Sequence, residues 1–227
     1  MILQRVVPEM NESNWWGSKV TAPGKTPCRL GVLVSGSGTN LQAIIDKIEA
    51  GEIRAEIACV ISNKANAYAL TRAARHGIPV VVHENAAFPE RRSYDAATVE
   101  ILRSHKVDLV ILAGFMRILT DVMVNAFPNA MMNIHPALLP SFQGLHAQQQ
   151  ALDYGVRYSG CTVHFVDCGT DTGPIILQTV VPVEQDDTEE TLSARIQKAE
   201  HQTFGAAIKL FVEGKIRVTG RKVLISD

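Results

Sequence analysis

Residues 29–52 read RLGVLVSGSGTNLQAIIDKIEAGE, and this stretch decides the fold. RLGVLVS (29–35) is a short apolar run ended by a glycine turn. NLQAIIDKIEAGE (40–52) then places Leu41, Ile44, Ile45 and Ile48 on one helical face, with Gly51 as a stop. A buried strand, a glycine turn and an amphipathic helix open a βαβ unit. The pattern repeats downstream. AEIACVIS (55–62) reads as a strand, AYALTRAARHG (67–77) as a helix and IPVVVH (78–83) as a strand. A charged amphipathic helix over 90–105 and the continuous apolar run DLVILAGF (108–115) follow, the latter of the kind buried on both sheet faces. A short helix near 120–126 leads to AMMNIH (130–135) as a further strand. Strands alternating with helices predict an α/β fold: a mixed, mostly parallel twisted sheet with helices on both faces and a Rossmann-like N-terminal half.

Beyond residue 136 the rhythm changes. GCTVHFVD (160–167) and PIILQTVVPV (174–183) are β runs joined by a hairpin-like connection at Cys168–Gly173. A long helix follows, for which Asp187 and Glu190 suggest a capping box. KIRVTGRKVLIS predicts two short strands about Thr219-Gly220. Residues 1–28 have no steady period. They read as an irregular extension in which Trp15 and Trp16 dock on the body, ahead of a single domain over 29–227. Gly24-Lys25-Thr26 imitates the end of a phosphate-binding P-loop, but Lys19 stands where that motif needs glycine.

The 227 residues are 46% hydrophobic and 20% charged, ordinary globular values that permit a sizeable core. A net charge of −1 with no block of one sign argues against nucleic acid or an anionic membrane as partner. No apolar run reaches the ~20 residues of a membrane span. Cys28, Cys59, Cys161 and Cys168 form no C-x-x-C pair, and Cys28 and Cys59 read as core residues of a reducing cytoplasm. No histidine or cysteine cluster has metal-ligand spacing, so no metal is expected.

Two features carry chemistry. SGSGTN (35–40) follows a strand and opens a helix; Gly36 and Gly38 permit close backbone approach, and Thr39 or Asn40 can cap the helix. Free N–H groups at a helix start form an anion site. Leu41 replaces the third glycine of a dinucleotide fingerprint, so a monophosphate fits better than NAD, while a plain capped turn gives the same sequence. The second feature is Asn133-Ile134-His135-Pro136. Residues i and i+2 of a strand share a face, so the amide and the imidazole project together at a strand's carboxyl end. Side by side they can serve a developing oxyanion. A core histidine with an asparagine neighbour is the plainer alternative. The turn DCGTDTG (167–173) offers Asp167 and Asp171 as carboxylates to orient the imidazole, and the same residues suit a turn. His164, alternating within a strand, reads as structural; His146 and His201 read as pocket liners.

Taken in order, GVLVSGSGTNLQAI, VISNKANAYAL, LVILAGFMRIL, MNIHPALLPSFQGLHA and GCTVHFVDCGTDTGPIILQ resemble the phosphoribosylglycinamide formyltransferase family from Arg29 onward. The resemblance implies formyl transfer from the co-substrate 10-formyltetrahydrofolate to the amine of glycinamide ribonucleotide, by a monomer or homodimer. It implies Asn133, His135 and Asp171 as the catalytic residues, and Gly38, Thr39, Asn40 and Glu200 for the ribonucleotide. For the folate it implies Arg91 (with Arg92 as rival), Met116, Arg117, Ile118, Leu119 and Asn133, with the Asp167–Asp171 loop against the pterin. Gln143 stands where proline is common in the family and Gln148 where a histidine is usual. Methionyl-tRNA formyltransferase would need a further basic tRNA-binding domain, and formyltetrahydrofolate hydrolase a regulatory domain ahead of the catalytic one. A non-catalytic nucleotide-binding module would not need the Asn–His–Asp set.

Overall fold

The computed structural model describes residues 27–226. The readings of Trp15, Trp16 and the Gly24–Thr26 turn lie outside them. A seven-stranded sheet has the order β3-β2-β1-β4-β5-β6-β7. Its strands are β1 (Cys28–Val34), β2 (Ala55–Ser62), β3 (Val80–Val82), β4 (Leu109–Leu112), β5 (Met131–His135), β6 (Tyr158–Phe165) and β7 (Ile175–Pro182). The first five are parallel, and β6 and β7 are antiparallel. The expected mixed, mostly parallel sheet is therefore present. A separate hairpin pairs β8 (Ile216–Thr219) with β9 (Lys222–Ile225).

Helices cover both faces. On one, α1 (Thr39–Glu49), α2 (Tyr68–Arg75) and α6 (Glu189–Val212) close a core containing Leu30, Val32, Leu41, Ile44, Ile45, Ile196 and Phe204. On the other, α3 (Arg91–Ser104) and α4 (Asp121–Ala126) pack Tyr94, Leu102 and Met123 over Leu33 and Ile61. Each fully buried aliphatic side chain contributes about 2 kcal/mol of transfer free energy. Gly31 on β1 admits the closest approach. A Cβ there would stand 2.5 Å from the Leu102 side chain, so α3 could not pack as tightly on any other residue.

Two local readings are corrected. The cap of α6 is Thr188, not Asp187: Thr188 Oγ1 accepts from Thr191 N, and Thr191 Oγ1 accepts from Thr188 N. Asp187 is taken up by Arg195, whose Nη1 and Nη2 donate to it at 2.6 and 3.0 Å. That pairing holds its carboxyl well below the usual carboxylate range. At α1 the N-cap is Gly38 itself, at φ 72°, with no side-chain cap. A further helix, α5 (Ala147–Tyr154), lies in a stretch with no expected element.

The chain runs outward from β1 to β3, then resumes on the other side of β1 with β4. Parallel sheets bind ligands at the carboxyl ends of strands flanking such a switch. Here those ends carry Ser35–Asn40, Phe115–Leu119 and Asn133–His135.

Candidate active site

The glycine turn leaves α1 with an open N-terminus. Among the described residues, no acceptor takes the amides of Gly38, Thr39, Asn40 or Leu41. Gly38 is obligatory twice over, since its φ is left-handed and a Cβ would stand 2.6 Å from Ala69 Cβ. α2 holds the turn in place, with Ala69 N donating to Gly36 O and Arg72 Nε to Ser37 O. Asn40 reaches across to α6, where its Nδ2 donates to Glu200 Oε2 at 3.1 Å; Gln197 Nε2 donates to Thr39 Oγ1 at 3.1 Å. Glu200 is buried rather than lying on a solvated helix edge, and burial pushes its pKa up against the opposing Asn40 bond. Asn40 Oδ1 is buried without a partner. Free amides at a helix N-terminus, with the helix dipole, favour an anion there.

At the end of β5, Asn133 and His135 share a face as expected, and Asp171 meets both. His135 Nδ1 lies 3.3 Å from Asp171 Oδ2, and Asn133 Nδ2 donates to Asp171 Oδ1 at 3.4 Å. The other imidazole nitrogen, Nε2, lies 2.8 Å from the carbonyl oxygen of Phe142. Acceptors thus face both ring nitrogens, which favours the doubly protonated ring. Burial works against it and prevails in the free protein, holding His135 below the ordinary imidazole pKa. Asp171 is held below its ordinary value despite burial, by His164, the Gly144 N–H and His135.

His164 belongs to this cluster. Its Nε2 accepts from Asn133 Nδ2 at 3.2 Å and lies 3.7 Å from Asp171, while its Nδ1–H donates to the Phe165 carbonyl. The signal was the register of the antiparallel pair, in which Asn133 stands opposite His164.

A cavity beside the cluster is walled by Leu112, Phe115, Ile118, Leu119 and Val166 and edged by Arg117, Asn133, His164, Asp167 and Asp171. An apolar slot with convergent polar groups suits a flat heterocycle. Of the residues expected at a folate site, Arg117, Ile118, Leu119 and Asn133 line it; Met116 is 65% exposed and does not. Arg91 is exposed at the start of α3 and does not line the cavity, and Arg92 pairs with Asp121. His146 lies exposed near Glu189, and His201 turns its Nε2 to no partner on α6, so neither lines the cavity. The buried cysteines offer no nucleophile, since burial pushes the Cys28 and Cys59 thiols up to about 12 and about 11, and the Cys161 thiol up as well. Cys168 is exposed, and its thiol is also pushed up, by partial desolvation and by the charges of Asp121 and Asp167. Among the described residues no group of three or more His, Cys, Asp or Glu side chains is arranged to hold a metal.

Comparisons with known proteins identify the family. The family model described as formyl transferase matches residues 28–208. The phosphoribosylglycinamide formyltransferase of Haemophilus influenzae is 45% identical over 190 residues, covering 84% of this chain and 90% of that one. The crystal structure of glycinamide ribonucleotide transformylase 1 from Symbiobacterium toebii, 53% identical, superposes with a TM-score of 0.88 over 88% of this chain and 95% of its own. The trifunctional purine biosynthetic protein adenosine-3 of Drosophila pseudoobscura pseudoobscura is 50% identical over 191 residues, 83% of this chain; the chain spans only 14% of that protein's length. The chain belongs to the formyl transferase family, among its phosphoribosylglycinamide formyltransferases.

Proposed function

We propose that this chain transfers the formyl group of 10-formyltetrahydrofolate to the amino group of 5′-phosphoribosylglycinamide, a step of de novo purine biosynthesis. The observation that carries the reading is the meeting of Asn133, His135 and Asp171 between an anion site and an apolar cavity. The ribonucleotide phosphate binds the amides of Gly38, Thr39 and Asn40, and Glu200 meets the ribonucleotide beside them. The pterin enters the slot between Arg117–Leu119 and the Asp167–Asp171 turn, and Arg91 stands as the contact for the distal part of the folate.

The nucleophile is the substrate amine, so no serine or cysteine needs activating. As the amine attacks the formyl carbon, negative charge develops on the formyl oxygen. Asn133 Nδ2 donates to it, and so does the Nδ1–H of His135. In the free protein burial disfavours the imidazolium. The developing oxyanion adds a second negative partner to Asp171, which shifts that balance toward the charged ring. Asp171, held ionised, accepts the proton released by the attacking amine, directly or through one water, and passes it toward the leaving nitrogen of the folate. His164 Nε2 accepts one Asn133 N–H, which turns the other toward this centre.

The catalytic unit is residues 29–227, acting in the cytoplasm on small molecules as a monomer or homodimer. A net charge of −1 supports a small-molecule partner over nucleic acid. No helix of the described residues is long and apolar enough to cross a membrane. The test is an assay with both substrates and product analysis. Formylated ribonucleotide forming in step with tetrahydrofolate supports the reading; formate released without ribonucleotide identifies a hydrolase instead.

A further inference from the structure

The turn that carries Asp171 is fastened at two successive main-chain carbonyls by side chains with no place in the proton transfers. Gln143 Nε2 donates to the carbonyl oxygen of Asp171 at 3.1 Å, and Arg221 Nη2 donates to that of Thr172 at 2.7 Å. They approach from different parts of the fold. Gln143 belongs to the loop after β5, while Arg221 sits at the tip of the β8–β9 hairpin, outside the span that the family model matches.

Asp171 needs such fastening. Its φ is 53°, in the left-handed region, where a residue with a Cβ is held only by its surroundings. The exit of the turn is fixed by packing: a Cβ on Gly173 would stand 1.8 Å from the Phe165 carbonyl oxygen. The entry is tied by Asp167, which accepts from Gly169 N and Thr172 Oγ1. The peptide units around Asp171 itself depend on Gln143 and Arg221. The residues flanking Gln143 complete the same latch, with Gly144 N donating to Asp171 Oδ2 at 2.9 Å and the Phe142 carbonyl facing His135 Nε2.

We propose that Gln143 and Arg221 are positioning residues for formyl transfer, a two-point clamp on the Asp171–Thr172 main chain that keeps the Asp171 carboxylate against His135. The inference rests on the reading of Asp171 and His135 as the catalytic pair. Neither clamp residue lines the cavity, so both act through Asp171 and not on a substrate. The titratable groups facing His135 are Asp171 and His164. A turn released at both carbonyls lets the carboxylate draw back, and the imidazolium loses its nearest negative partner.

The experiment compares the full chain with a Gln143→Ala/Arg221→Ala double variant. Both side chains are exposed, so the fold is retained and the melting midpoint confirms it. The expected kcat loss is about fivefold, the scale of two modest hydrogen bonds acting indirectly, with KM for each substrate within about twofold of wild type. The NMR titration of His135 moves to lower pH. Loss of the Arg221 charge alone would move that titration to higher pH, so the direction separates positioning from plain electrostatics. An unchanged kcat, or a titration that stays or moves upward, overturns the clamp. A wild type that forms no formylated ribonucleotide would instead overturn the functional reading, which is scored separately.

Discussion

His135 and Asp171 face each other across 3.3 Å, Nδ1 to Oδ2, although they lie on different elements and His135 is nearly inaccessible to solvent. The charge of this pair sets the chemistry. Burial lowers the His135 pKa, and Asp171 is the first of the influences that raise it. Replacing Asp171 by asparagine therefore moves the His135 titration to still lower pH, which NMR of the imidazole reads directly. The folded-state value lies below the unfolded one, so this group's contribution to stability is present above pH ~6.5 and is lost as pH falls through the folded value.

Glu200 behaves in the opposite sense. Its folded-state pKa is raised by burial, so its contribution is fully present below the unfolded value and declines as pH rises through the folded one. Glu200→Gln keeps an oxygen to accept from Asn40 and removes the buried charge. Its melting temperature is expected to exceed wild type at pH ~7.5, with the gain vanishing near pH ~4. KM for the ribonucleotide rises in the same variant, checked by steady-state kinetics.

Ser35 joins the two substrate regions. Its hydroxyl donates to Asn63 Oδ1 at 2.7 Å and accepts from Met116 N at 2.9 Å, where the cavity wall begins. Ser35→Ala leaves the part-buried Met116 N–H and the buried Asn63 amide oxygen short of a partner. The cost is about 1–3 kcal/mol. The expected kinetic result is a higher KM for the folate with a smaller change for the ribonucleotide.

Gly38→Ala tests the anion site through the backbone. The added Cβ meets Ala69 at 2.6 Å at a left-handed φ. The chain should lose about 2 kcal/mol of stability through strain alone. In calorimetric titration, affinity for the ribonucleotide falls while affinity for a folate analogue is retained.

Much of this was legible in local sequence. The apolar run, glycine turn and amphipathic helix of residues 29–52 are periodic, and period is what strand and helix impose. Asn133 and His135 were paired by the two-residue repeat of a strand. Other features depended on tertiary partners. His164 looked structural because its place opposite Asn133 is set by strand register. The α6 cap went to Thr188 because Arg195, two turns along the helix, engages Asp187. Helix α5 was hidden by Gln148, Gln149 and Gln150, which dilute its short apolar face at Ala147 and Ala151. The burial of Glu200 runs against the usual exposure of carboxylates and follows from the packing of α6 on α1.

The most direct measurement is single-turnover formyl transfer by wild type and Asp171→Asn, with both substrates saturating and binding verified. The wild type should form formylated ribonucleotide. The variant should bind both substrates and react about 10²–10⁴-fold more slowly, the usual scale of general acid–base catalysis. A folded, substrate-bound Asp171→Asn that reacts at the wild-type rate would contradict the account.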